Sequence, residues 1–284
     1  MIETIYIPTY KRINDQVALD FLPDKYRKMV TLVVQTQEIE EHTKLHGDMV
    51  GRIMEVGNEI GIAKTRELIC RDAGKQKFYM IDDDITFYRR NRKYYDDFDK
   101  KSNMDKSKRL ATESDLDDMF ELFDKWLDEP DLINIGHRRH FYPPPNKSYS
   151  DLTLVSSASV IDGRKLSTFI DDVNWLLCEF CEDANFNLEY VTRGYKNRLS
   201  DEFCFNSPHF QEGGVNVLRN AKTHRSNHIK LEMEYPNYMK PKKPVVRENI
   251  GEIIEYKYYW RKAFKERIKK HKYKDITEWT KCNN

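Results

Sequence analysis

The sequence has no excess of either charge: 48 lysines and arginines stand against 47 aspartates and glutamates, a net charge of +1. That balance excludes a uniformly basic coat for nucleic acid and an acidic solvating tail. No apolar run approaches the roughly 18 residues of a membrane-spanning helix. Met1-Ile2-Glu3-Thr4-Ile5 has neither the basic nor the apolar segment of a secretory leader. Cysteine is sparse and odd in number, five in 284 residues, which excludes a disulfide framework. Internal repeats and low-complexity tracts are lacking too. A soluble cytoplasmic protein is the expectation. What the chain does have is 39% hydrophobic and 12% aromatic residues, enough for a packed core. A mean hydropathy of −0.80 predicts a very polar surface around it.

Strand and helix patterns alternate through the first 90 residues. Thr4-Ile5-Tyr6-Ile7 is β-rich and stops at Pro8; Asp15 to Leu22 reads as a short helix; Val30-Thr31-Leu32-Val33-Val34 is β-branched almost throughout. Ile62, Ala63, Leu68, Ile69 and Ala73 recur at helical spacing, and Gly74 is a plausible stop. Phe78-Tyr79-Met80-Ile81 then reads as a buried strand. This order predicts an α/β fold with a mostly parallel sheet. Residues 96–131 read as acidic and mostly helical, with Leu116, Met119, Phe120, Phe123 and Leu127 on one stripe. Leu152-Thr153-Leu154-Val155 and Ala158-Ser159-Val160-Ile161 read as strand. From Lys257 to Lys274, nine of eighteen residues are basic, among Tyr258, Tyr259, Trp260, Phe264 and Tyr273. We place a core domain at residues 1–235 and a basic, aromatic, helical extension at 236–284.

The apolar strand runs straight into Asp82-Asp83-Asp84. Adjacent carboxylates raise each other's pKa unless cations or hydrogen bonds offset the repulsion. Open α/β sheets bind ligands beyond the carboxyl ends of their strands, where this triplet falls. On extended backbone Asp82 and Asp84 point the same way and can address one ligand. Carboxylate oxygens suit Mg²⁺ or Mn²⁺, which in turn bridge phosphates. A solvated capping turn would use the same residues. Glu182-Asp183, opening a helix through Tyr190 that exits at Gly194-Tyr195, forms a second acidic pair, and capping is again the plainer role. At the positive end of a helix such a pair stays ionised, and an ionised carboxylate facing a hydroxyl can act as general base.

Taken together, Gly61-Ile62-Ala63-Lys64-Thr65-Arg66, the Asp82-Asp83-Asp84 strand end and the Glu182-Asp183 helix resemble the nucleotide-sugar half of the GT-A-fold (Rossmann-like) glycosyltransferases. The resemblance spans most of residues 1–210. It implies nucleotide contacts for Thr9, Tyr10, Arg12 and Arg66, and for Lys64 on the diphosphate. It implies metal or ribose contacts for Asp82 and Asp84, with Asp183 or Glu182 as the catalytic carboxylate. Phe205-Asn206-Ser207-Pro208-His209 lies where that family places a histidine ligand, so His209 is the expected third metal ligand; His224 and His228 compete. The implied chemistry is transfer of a sugar, hexose or pentose, from a uridine diphosphate donor with Mn²⁺ or Mg²⁺. On inversion Asp183 would take the acceptor's proton; on retention it would orient the acceptor instead.

For the acceptor, the Lys257–Lys274 segment and Arg89-Arg90-Asn91-Arg92-Lys93-Tyr94-Tyr95 offer basic, aromatic surface suited to phosphate backbones and bases. The compact core also resembles phage-type glycosyltransferases associated with TET/JBP-like hydroxylases or hydroxymethylpyrimidine pathways. This implies a 5-hydroxymethylated base such as hydroxymethylcytosine in bacteriophage DNA, modified in the host cytoplasm. Two other readings stay open. One is a surface-polysaccharide or lipopolysaccharide glycosyltransferase whose basic segment meets anionic membrane. The other is a non-enzymatic nucleic-acid-binding module. A nucleotidyltransferase would want a glycine-rich phosphate loop after the first strand, and Pro8-Thr9-Tyr10-Lys11-Arg12 has no glycine. Cys178 and Cys181 with Cys204 and His209 fit no standard zinc spacing and read as reduced, buried thiols.

Overall fold

A computed structural model describes residues 1–94, 101–143, 147–207, 220–247 and 251–267. The first half comprises β1 (Ile2–Pro8), α1 (Val17–Phe21), α2 (Asp24–Arg27), β2 (Val30–Val34), α3 (Ile39–His46), β3 (Arg52–Glu55), α4 (Ile62–Ala73) and β4 (Lys77–Ile81). These four strands pair in parallel in the order β3-β2-β1-β4. Alternate residues serve opposite faces of the sheet. Ile5, Ile7 and Tyr79 point into one apolar cluster, Tyr6, Phe78 and Met80 into the other. Burial on both faces explains why these strands read as nearly continuous apolar runs. Gly74 ends α4 with a φ of 58°, a conformation that glycine adopts without steric cost.

The second half adds β5 (Thr86–Arg90), α5 (Lys101–Lys106), β6 (Lys108–Leu110), α6 (Glu113–Trp126), β7 (Leu132–Arg139), β8 (Tyr149–Asp151), β9 (Ala158–Asp162), α7 (Gly163–Leu166), α8 (Glu182–Thr192) and β10 (Lys196–Asn206). Among the described residues the sheet has ten strands, continuing β4-β9-β7-β10-β5-β6 with β8 beside β10. Seven run in one direction; β5, β8 and β9 run against them. The chain leaves β1 toward β2 and β3 but returns with β4 on its other side, so the crevice of the fold opens beyond the carboxyl ends of β1 and β4. A Thr112–Asp115 capping box starts α6, and its Leu116, Met119 and Phe123 close over one face, as the stripe predicts. Lys165 is buried and donates to the carbonyls of Leu127, Glu129 and Leu132 at 2.5, 2.8 and 2.7 Å, tying α7 to the end of α6.

Two expectations need correction. Leu152–Val155 is not a strand: Asn197 Oδ1 accepts from the Thr153 amide at 2.9 Å, and Asn187 bonds both the amide and the carbonyl of Val155. Asparagine side chains take the place of a neighbouring strand, and the segment bends, with Leu152 and Ser157 at φ 56° and 62°. The C-terminal extension is not simply helical. After α9 (Ala221–Glu234) come β11 (Met239–Arg247) and β12 (Gly251–Tyr258), an antiparallel ribbon, and only then the short α10 (Trp260–Glu266). Residues 268–274 of the basic run lie outside the described residues.

Candidate active site

Three of the predicted residues meet at one guanidinium. Arg66, on the first turns of α4, has a side chain only 6% exposed and touches three carboxylates. Asp82, just past β4, lies at 3.1 Å; Glu182, the first residue of α8, at 3.2 Å; Asp183, the second, is in direct contact. Residues far apart in the chain therefore converge because α4 and α8 both start at the carboxyl edge of the sheet. Burial works against the Arg66 charge, but Asp183, Glu182 and Asp82 outweigh it and raise its pKa. Burial pushes Glu182 up to about 8, with Arg66 pulling down and Asp183 pushing further up. Asp82 rises to about 6 for the same reasons, desolvation first, with Asp183 and Asp84 adding to it. Asp82 and Asp183 keep 31% and 28% side-chain exposure, so both face the crevice while Arg66 backs them from below.

The middle aspartate turns the other way. Asp83 is buried, accepts from the Thr9 hydroxyl at 2.7 Å and pairs with Arg12 at 2.5 Å. Burial carries it up to about 7, with Arg12 and Thr9 pulling down. Gln16 braces this cluster, donating to the Thr9 hydroxyl at 2.8 Å and to the Arg12 carbonyl at 2.7 Å. Asp84 accepts from Ser207 at 2.9 Å and lies 3.4 Å from Arg12. So Thr9 and Arg12 direct polar atoms at the acidic triplet, and the loop they belong to is thereby fixed to the end of β4. Tyr10 is half-buried, its ring 5.0 Å from the Lys11 ammonium. Lys64, two residues before Arg66 on α4 and so on a different side of the helix, is paired with Glu67 at 2.8 Å. His209 lies outside the described residues.

Sequence reasoning singled out Asp82 and Asp84 as facing the same way on extended backbone and missed Asp83 as the anchor of the first loop; β4 ends at Ile81 and Asp83–Asp84 form a turn, so Asp82 meets Arg66 while Asp83 and Asp84 both approach Arg12. The stretch Leu154-Val155-Ser156-Ser157-Ala158, which the family resemblance places beside the acceptor pocket, hid a second contact: the Ser157 carbonyl accepts the Asp82 amide at 2.9 Å from a left-handed backbone. Nothing in a lone serine announces that. Glu179 is a third omission. Its carboxylate lies 3.4 Å from the Ala63 amide at the start of α4, and a β-carbon on Gly61 would collide with it. The cysteines behave as expected: Cys178 and Cys181 are buried in an apolar cluster with Leu188, Leu231 and Tyr235.

Five carboxylates (Asp82, Asp83, Asp84, Glu182 and Asp183) thus share two guanidiniums, Arg12 and Arg66. The model of the TET-associated glycosyltransferase family matches residues 3–213, which hold all of these groups. The chain belongs to that family. Two curated relatives are named beta-glucosyl-HMC-alpha-glucosyl-transferase: that of Enterobacteria phage T6 is 25% identical over 256 residues, and that of phage T2 is 25% identical over 257. Each alignment covers 88% of this chain and 88% of the relative. A solved UDP-glucose pyrophosphorylase in complex with UDP-glucose superposes with a TM-score of 0.39 at 10% identity, over 83% of this chain and 99% of that one. By its family, this TET-associated glycosyltransferase is an enzyme of sugar transfer. Among the described residues it has no helix long and apolar enough to cross a membrane.

The basic run after the triplet is less available than its sequence suggests. Arg90 is buried and donates to the carbonyls of Arg139 and Tyr142. Arg89 stacks on Phe203 at 4.3 Å and lies 3.7 Å from Glu202, which also pairs with Arg92 at 3.0 Å. Lys93 is exposed near the Tyr94 ring. Tyr95 lies outside the described residues.

Proposed function

We propose that this glycosyltransferase moves a sugar from a uridine diphosphate donor onto a hydroxyl carried by a 5-hydroxymethylcytosine base of bacteriophage DNA. The convergence of Asp82, Glu182 and Asp183 on Arg66 at the mouth of the crevice supports it most directly. The phage T6 and T2 relatives are named for an α-glucosyl transfer to β-glucosyl-HMC, so the acceptor hydroxyl proposed here includes one on a sugar already attached to the base.

In this reading the donor enters beyond β1 and β4. Tyr10 faces the nucleobase, with Thr9 and Arg12 holding the loop that presents it. Lys64 reaches toward the diphosphate. Asp82 and Asp84 would hold Mn²⁺ or Mg²⁺, with His209 as the proposed third protein ligand. The residues fit such an ion: five carboxylates against two guanidiniums leave the pocket short of positive charge, and burial raises Asp82 and Glu182. Among the described residues no group of three His, Cys, Asp or Glu side chains is placed to hold a metal, so Asp82 and Asp84 would supply only part of the ion's coordination. When bound, the ion would neutralise charge on the departing diphosphate.

Asp183 addresses the acceptor. It is the one residue of α8 that is not buried, and Arg66 holds its orientation. If the product linkage is α and the donor is α-linked, configuration is retained. Asp183 then orients the acceptor hydroxyl; on inversion it would take the proton. Incubation with Mn²⁺, a panel of nucleotide sugars, and duplexes containing cytosine, hydroxymethylcytosine or glucosylated hydroxymethylcytosine tests the proposal. Mass spectrometry of the digested nucleosides should show one hexose or pentose added to a modified base. Turnover of a glycan acceptor with none of any duplex would refute it.

A further inference from the structure

Residues 220–267 contain twelve lysines and arginines against six acidic residues, in a chain whose whole net charge is +1. Basic charge is therefore concentrated in α9, β11, β12 and α10. Among the described residues β11 and β12 pair only with each other, forming a two-stranded ribbon separate from the main sheet. Lys240 sits directly across the ladder from Lys257, and both are exposed. Lys242 and Lys243 are exposed at a register shift between Pro241 and Pro244. Two like charges directly opposite on a strand pair destabilise it. Prolines on β11 oppose growth of the ribbon by a further strand. A surface of this kind is built for a polyanion, not for another sheet.

The ribbon is also fixed to the catalytic helix. Every residue of α8 except Asp183 is buried, because one side packs on the sheet through Phe186 and Tyr190 and the other on the C-terminal unit through Ala184, Leu188 and Val191. The Tyr235 hydroxyl donates to the buried Glu189 carboxylate at 2.6 Å. Asn227 on α9 accepts from the Glu179 amide at 2.5 Å, three residues before Glu182. Whatever holds the ribbon holds the helix that presents Asp183.

We propose that the β11–β12 ribbon docks the enzyme on duplex DNA, with Lys240, Lys243 and Lys257 on the phosphates bordering the major groove. That groove admits a two-stranded ribbon and displays the C5 substituents of pyrimidines. Docking there brings the modified base to the side of the protein where α8 begins. The assignment rests on the proposed DNA acceptor and adds the surface that finds it.

The test compares the full chain with the triple variant Lys240→Gln, Lys243→Gln, Lys257→Gln. Binding of a fluorescent duplex is measured between 50 and 300 mM salt. At about 0.9 in log–log slope per phosphate contact, the variant should lose roughly 2–3 from the salt dependence. KM for duplex should rise at least tenfold, while the thermal shift given by uridine diphosphate stays as in the wild type. An unchanged salt slope overturns the docking assignment, as does binding to phosphatidylglycerol vesicles with none to duplex. If the triple substitution lowers the salt slope but the wild type transfers no sugar to any modified duplex, docking stands and the acceptor assignment fails.

Discussion

Replacing Arg66 with methionine should destabilise the protein in a pH-dependent way. The guanidinium is buried against Asp82, Glu182 and Asp183, and removing it leaves three carboxylates facing one another. Breaking a buried ion pair by deleting one partner costs about 3–5 kcal/mol. The carboxylates can escape part of that cost by binding protons. Even beside Arg66, Glu182 is raised to about 8 and Asp82 to about 6, so the folded state already holds protons that the unfolded chain releases near pH 4.5. A raised carboxylate stabilises the fold fully below its unfolded pKa, and that contribution is lost as pH climbs through the folded value. Without Arg66 the folded values rise further, so the variant's deficit is small at pH 5 and grows toward pH 8. One extra proton retained across three pH units corresponds to about 4 kcal/mol. Urea midpoints at pH 5 and pH 8 measure it. Equal losses at the two pH values would show that Arg66 acts through packing, and the charge argument would be wrong. Arg66→Lys should remove most of this extra pH dependence, because one positive charge returns.

Asp183→Asn should lower sugar transfer by about 10²–10⁴ if the carboxylate acts as base. Binding of uridine diphosphate should persist, and stability at pH 8 should hold or rise, since one surplus negative charge is gone; near-normal turnover would remove Asp183 from the mechanism. Mn²⁺ with uridine diphosphate should stabilise the fold by about 2.7 kcal/mol at hundredfold excess over Kd. A double Asp82→Asn, Asp84→Asn variant should show no such shift in calorimetry; a full shift would place the ion elsewhere. Lys165→Met should cost about 3–5 kcal/mol, because three backbone carbonyls and Asp162, 3.1 Å away, lose their shared donor. A melting temperature within 2 °C of wild type would contradict that accounting.

The parallel half of the fold was legible because burial on both faces writes itself into unbroken runs such as Val30–Val34 and Phe78–Ile81. Helices α4 and α6 were legible for the complementary reason: each buries one face, leaving a period that strands do not share. The C-terminal ribbon was misread because its charge drew attention away from its period. Val245-Val246 and Ile253-Ile254 are β-branched pairs on either side of a short polar stretch, the composition of a hairpin. Leu152–Val155 failed differently. Its composition is that of a strand, but its hydrogen-bond partners are side chains of Asn187 and Asn197, and no local pattern announces partners 32 to 44 residues away. The same limit applies to Arg66. Its place on α4 could be read from the motif around it, whereas its three partners depend on how α8 packs.

That packing explains why the acidic groups of this site can coexist. α8 is wedged between the sheet and the C-terminal unit, which fixes the backbone that carries Glu182 and Asp183. The backbone at Asp82 is held as well, its amide being fixed to Ser157 and its neighbour Asp83 pinned by Arg12 and Thr9. Rigid carboxylates with too few cations are costly in the free protein and favourable toward any ligand that brings positive charge or a hydrogen-bond donor. Loosening the wedge should therefore stabilise the free site and weaken what it binds. Asn227→Ala, which removes the acceptor for the Glu179 amide, is the mildest way to do this. It should leave the uridine diphosphate thermal shift nearly intact and raise KM for duplex acceptor. A loss of donor binding instead would mean that α8 positions the donor and not the acceptor.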